Sequence, residues 1–170
     1  ELPRQRLVTS GRFNADCLAM HYHVPVFSIE HNRILRNFIS LAAKRGMNMM
    51  LTPIHTPPMD VFPGEERVTA QLSEVFVTPL GYTFRFGKLR DFITLCRHEG
   101  IRFFEMAPLA AVGDSGLRAP KIMGVKDGSY TQLFGWQTGA ESPDYLDFLA
   151  AYLPALIREL NYLDVLDRCV

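Results

Sequence analysis

Apolar positions along the chain switch between two spacings, and the switch repeats. From Ser28 to about Arg45 the residues Ile34, Leu35, Phe38, Ile39, Leu41 and Ala42 recur at the period of one helix face. Ser28 is a residue type that caps helices, and Gly46 suits the left-handed turn that ends one. "MNMML" follows, a short apolar run ending at Leu51, and predicts a buried strand. The same order returns from Lys88 to His98, with Leu89, Phe92, Ile93 and Cys96 on one face, a stop at Gly100 and "IRFFEM" as the next strand. A third helix opens at "SPDY", with Ser142 as cap, Pro143 in the first helical position and Asp144 near the positive helix end. Its stripe is Tyr145, Leu149, Tyr152, Leu153, Leu156 and Leu160; Pro154 is expected to kink it and Asn161 to take the left-handed stop.

"AKRGMNMML", "CRHEGIRFFEM" and "RELNYLDVLDRCV" are thus three versions of one junction: helix end, turn, buried strand. That is the rhythm of βα units around a parallel sheet. A first strand is expected within "QRLVTS" or "DCLAMHYH". The strand-to-helix loops are long and the helix-to-strand turns short. The loop from Thr52 to Phe86 holds a hairpin pattern, "LSEVFVT" and "YTFRF" around "PLG"; the loop from Ala107 to Glu141 holds the Asp-Gly turn signal "KDGSY". This asymmetry predicts an α/β chain forming part of a (β/α) barrel of the TIM type, with its site on the strands' C-terminal ends. An open doubly wound sheet would put its site there too, but no Gly-rich phosphate fingerprint follows any strand. The chain reads as a single domain over residues 1–170, an incomplete barrel, whose uncovered edges predict self-association or a longer parent protein.

Composition narrows the partners. Eighteen basic and eighteen acidic residues balance, so neither nucleic acid nor a membrane surface is indicated. No apolar run approaches the about 20 residues that span a bilayer, and "ELPRQR" has no apolar signal region, so a soluble chain is expected, its compartment open. Cys17, Cys96 and Cys169 form neither a disulfide framework nor a zinc module; Cys96 reads as a buried small hydrophobe.

Candidate chemistry gathers at the strand ends. "LTPIHTPPMD" places His55 and Asp60 after one strand, and "FFEMAP" places Glu105 at the end of the next, where a barrel would put an acid, a base or a substrate ligand. Pairing of Glu105 with a nearby cation is the plainer alternative. "RAPKI" offers Arg118 and Lys121, and "FGWQTG" offers Trp136, the only tryptophan. A loop Trp suits stacking on a sugar ring, or serves to plug a long loop. "HYH" competes: on a strand, His21 and His23 would point to one side, as in metal-dependent amidohydrolases, but such a pair needs further ligands. No GxSxG, HExxH or CxxC is present, and no cofactor is implied.

The segments "FNADCLA", "AAKRGMNMMLTPIHTPPMD", "RVTAQL", "APKIMG" and "FGWQT", in that order, resemble the catalytic domain of glycoside hydrolase family 123, the bacterial β-N-acetylgalactosaminidase-like proteins. The resemblance runs from about Gly11 onward. It implies a (β/α)8 barrel and retaining hydrolysis of N-acetylhexosamine-containing glycans. The substrate's own acetamido group is the nucleophile, oriented by the Asp of an adjacent Asp-Glu pair, with the Glu as general acid/base; this departs from the usual two-carboxylate arrangement. No Asp-Glu pair occurs in the 170 residues, so no catalytic residue is assigned here, and the pair is expected beyond Val170. His55, Asp60, Gln71, Lys121 and Trp136 fall in the matching segments and, with Glu105, form the candidate substrate-binding set. A carbohydrate-binding module without catalysis is the alternative, and a metal-dependent hydrolase using His21 and His23 the more distant one.

Overall fold

The computed structural model describes residues 5–11, 13–58, 65, 67–113 and 116–170. In chain order the elements are β1 (Ser10–Gly11), α1 (Ala15–His21), α2 (Ile29–Lys44), β2 (Met49–Thr52), β3 (Glu74–Thr78), β4 (Gly81–Arg85), α3 (Gly87–His98), β5 (Phe103–Met106), β6 (Ala111–Gly113), β7 (Gly116–Arg118), β8 (Ile122–Lys126), β9 (Ser129–Phe134) and α4 (Pro143–Tyr162). A single 3-10 turn, Leu166–Arg168, follows α4.

The three long helices end alike. After α2 the Met47 N–H bonds to Ala42 O at 3.1 Å, after α3 Ile101 to Cys96 O at 3.0 Å, and after α4 Val165 to Leu160 O at 3.1 Å. Each is the six-to-one bond of a Schellman stop, closed by a residue at positive φ: Gly46 (93°), Gly100 (100°) and Asp164 (55°). Asn161 was expected at the third stop, but it lies inside α4. The reason is apolar. Val165 and Leu160 are both buried in the same core cluster, and the stop falls where both side chains can enter it. The Ser28 hydroxyl caps α2 by accepting from His31 N at 3.1 Å. Ser142 stands at the N-cap of α4, before Pro143, without a side-chain cap bond.

After each stop the chain enters one parallel sheet. β1, β2 and β5 lie side by side, with Ser10 opposite Met49 and Leu51 opposite Glu105. The chain end joins the row: Cys169 bridges Phe104 in parallel, Val170 N bonds to Phe104 O and Met106 N to Val170 O, both at 2.9 Å. The fold is mixed α/β, and the described residues form no closed barrel. The first strand falls at the end of the "QRLVTS" stretch, not in "DCLAMHYH". Most of that segment lies in α1, which buries Ala15 and Ala19 on one face at the i, i+4 spacing of a helix.

The loop after β2 carries the expected hairpin, β3–β4, and the loop after β5 carries β8–β9, turned by Asp127 and Gly128 at φ 52° and 76°. The two hairpins combine into a second sheet of order β4-β3-β8-β9. A further short hairpin, β6–β7, precedes it. One core joins both sheets: Met50 and Phe104 against Leu35, Ile39, Phe92 and Ile93, continuous with Val75, Ile122 and Phe134 against Tyr145, Phe148 and Tyr152 of α4. The α4 rings pack at centroid distances of 5.1–5.3 Å, Phe134 on Phe148 and Phe148 on Tyr152. No helix among the described residues is long and apolar enough to cross a membrane.

Candidate functional site

Strand alternation gives the first sheet two different faces. Met50 and Phe104 point into the helix-covered core, so Leu51 and Glu105 point the other way. Leu51 is buried there too, under the loops that follow β1 and β2, among Phe13, Asp16, Pro57 and Ala70. The two loops are held together by charge. Arg67 Nε and Nη2 each donate to a different oxygen of Asp16 at 2.6 Å, and Arg67 Nη1 reaches Pro57 O at 3.4 Å. Main-chain bonds fix the rest: Leu72 N to Pro53 O at 2.9 Å, Ser73 N to Ile54 O at 3.2 Å, and Ala70 N to the Thr56 hydroxyl at 3.2 Å.

A shallow surface depression, enclosing only about 10 Å³, lies against this frame, with Thr56, Pro57, Arg67, Lys121, Gln132 and Trp136 among its walls. Lys121 Nζ donates to Arg67 O at 3.0 Å, and Trp136 Nε1 to Glu65 O at 3.1 Å. The Trp136 indole therefore pins the loop and walls the cleft at once. The structure thus brings Lys121 and Trp136 together, around Thr56 and Arg67. Arg118 lies on the short β6–β7 hairpin.

The other candidates lie elsewhere. His55 is fully buried beside Ser73, Ile122, Phe148 and Tyr152. Its Nδ1 is 3.4 Å from Thr56 O, its Nε2 has no hydrogen-bond partner among the described residues, and burial pushes its pKa down to about 4. At neutral pH it is an uncharged core side chain. Gln71 spends its amide on the main chain: Nε2 donates to Ser73 O and Met123 O at 2.6 and 2.9 Å, and Oε1 accepts from Met123 N at 2.9 Å. It ties the loop to β8. Glu105 stands half-buried on the sheet face away from the helices, accepting from the Ser10 hydroxyl at 3.0 Å. Asp60 lies outside the described residues.

The metal-ligand reading of "HYH" is corrected. His21 is the last residue of α1, and His23 sits at φ 54°, so the two do not share one side of a strand. Among the described residues no three His, Cys, Asp or Glu side chains gather as a metal site.

Asp16 and Arg67 are the site residues that sequence reasoning missed. Both lie in segments that carry the family resemblance, "FNADCLA" and "RVTAQL", but nothing local announces that they pair.

The molecule is an α/β protein whose cleft is assembled by the long loops that follow its parallel strands. The family model described as "Glycoside hydrolase 123, catalytic domain" matches residues 13–170, and the chain belongs to that family. A solved structure similar to it is that of a family 123 glycoside hydrolase from Clostridium perfringens, analysed for glycolipid glycan hydrolysis. The two agree with a TM-score of 0.66 at 11% identity, over 91% of this chain and 27% of the other. This chain thus spans about a quarter of that enzyme's length. No curated protein matches.

Proposed function

We propose that this chain is the substrate-facing, N-terminal part of a (β/α)8-barrel glycoside hydrolase acting on N-acetylhexosamine-containing glycans. The observation that carries the reading is the family match over residues 13–170. The three like junctions feeding adjacent parallel strands support the barrel, since this is how a (β/α) unit propagates. In that reading the face bearing Leu51 and Glu105 is the barrel's interior, and Glu105 sits near the C-terminal end of its strand, where barrel enzymes place functional groups.

The mechanism is substrate-assisted and retaining. The acetamido oxygen of the sugar attacks its own anomeric carbon as the glycosidic bond breaks, and a carboxylic acid protonates the departing oxygen. Water, deprotonated by the same carboxylate, then opens the cyclic intermediate. The Asp-Glu pair that performs this is supplied by chain beyond Val170, since the 170 residues contain no such pair. The present residues position the sugar: the Trp136 ring offers an apolar surface, Lys121 offers a hydrogen-bonding group, and the Asp16–Arg67 pair holds the walls in place.

The test compares the 170 residues with a longer protein carrying them and the pair. The longer protein should release nitrophenol from 4-nitrophenyl N-acetyl-β-hexosaminides with retention, while the 170 residues alone should bind the sugar without turnover. Binding without turnover by both would instead favour a carbohydrate-binding module, and no binding by either would refute the proposal.

A further inference from the structure

The second sheet has a face that neither the core nor the Trp136 cleft accounts for. Val75 points into the core, so Glu74 and Phe76 point outward. Strand register carries that outward side across the sheet: Phe76 stands opposite Val125, Val125 opposite Tyr130, and Met123 opposite Gln132. Lys88, in the first turn of α3, closes one end with its Nζ 3.9 Å from the Glu74 carboxylate. The result is a cleft of about 230 Å³, with Phe76, Met123 and Val125 as its floor and Tyr130 as a wall.

The chemistry of this cleft is two-sided. Tyr130 is 64% exposed, and both partial burial of its phenol and the Glu74 carboxylate raise its pKa, so ring and carboxylate share one neighbourhood. The Glu74 and Lys88 side chains are 41% and 47% exposed and lie too far apart to saturate one another's hydrogen bonds. An exposed aromatic face beside a solvated acceptor and donor matches a pyranose, which has an apolar C–H face and a rim of hydroxyls.

The cleft also neighbours the first one across the β8–β9 pair. Lys121 and Gln132 wall the Trp136 cleft, while Met123, directly opposite Gln132, lies on the floor of the second. From Lys121 to Val125 the chain is nearly extended, a reach of about 13 Å, longer than one sugar ring. We propose that the two clefts are the ends of one groove and that the substrate is an oligosaccharide, with Tyr130 the platform for a sugar distal to the one at Trp136. The inference rests on the saccharide reading of the Trp136 cleft.

Calorimetric titration of the 170-residue chain tests it, using N-acetylgalactosamine and a tetrasaccharide ending in that sugar. The tetrasaccharide should bind about tenfold more tightly than the monosaccharide, the order expected for one stacking contact. Tyr130→Ala should erase that gain without changing monosaccharide affinity, and Tyr130→Phe should keep most of it. Equal affinities for the two ligands, or a gain that survives Tyr130→Ala, would overturn the groove while leaving the Trp136 cleft intact. A tetrasaccharide affinity that depends on Tyr130 but is unaffected by Lys121→Ala would support the distal platform and count against the first cleft. Failure of both ligands to bind would remove both.

Discussion

Asp16 and Arg67, fifty-one residues apart, meet in a two-point ion pair with both contacts at 2.6 Å, their side chains 3% and 9% exposed. The pair joins the first turn of α1 to the loop after β2. Removing one partner leaves the other charge buried without its counter-charge, which costs roughly 3–5 kcal/mol. Asp16→Ala should lower the urea midpoint accordingly, and Asp16→Ala with Arg67→Met should recover part of the loss. A double variant no more stable than Asp16→Ala would show that the pair is not the clasp described.

His55 makes stability pH-dependent. Its folded pKa of about 4 lies below the unfolded value of 6.5, so the unfolded chain binds the extra proton first. The stability tied to the neutral imidazole is complete above about pH 6.5. It is lost as pH falls from 6.5 to 4 and changes no further below that, amounting to about 3 kcal/mol. His55→Leu should flatten this window in urea melts at successive pH values, while a variant with the wild-type slope would contradict the assignment.

The second sheet is tied to α4 by the Ser73 and Tyr152 hydroxyls, 2.7 Å apart and both buried. Tyr152→Phe and Ser73→Ala should each cost about 1 kcal/mol, because either change leaves a buried hydroxyl or a small void behind. The double variant should cost less than the sum of the two, and strict additivity in thermal melts would argue against a direct bond.

Glu105 has a different signature. It is half-buried outside the core cluster, and its carboxylate accepts from Ser10. In a catalytically complete protein, Glu105→Gln should lower kcat/KM on N-acetylhexosaminides about tenfold or more with little change in Tm. A fall in Tm with unchanged kcat/KM would make it a structural residue.

Much of the fold was legible because its signals are local. Ser28, Gly46 and Gly100 each act within one turn, and the apolar stripes of α3 and α4 needed only a helical period; on α2 that period located Leu35 and Ile39, but Phe38 and Leu41 of the same stripe are exposed. Where two local readings compete, tertiary burial decides. "DCLAMHYH" has strand-like alternation around its histidines, but α1 takes it as far as His21, with Ala19 and the preceding Ala15 buried on one helix face. Asn161 is the better left-handed residue type, yet burial of both Leu160 and Val165 moves the stop to Asp164. The β6–β7 hairpin lay hidden in a segment read as loop. The site was legible in part. Lys121 and Trp136 do converge on one cleft, but the partners that frame it come from distant segments. Gln71 looks like a ligand in sequence and proves to be bonded to the main chain of Ser73 and Met123.

The central claim is that the Trp136 cleft holds an N-acetylhexosamine. Trp136 is the only tryptophan of the chain, so its emission reports on that cleft alone. Titrating the 170-residue chain with N-acetylgalactosamine should give a saturable change in Trp136 fluorescence, absent with galactose and abolished by Lys121→Ala. An emission spectrum that N-acetylgalactosamine leaves unchanged up to solubility, in a chain shown to be folded, would contradict the account.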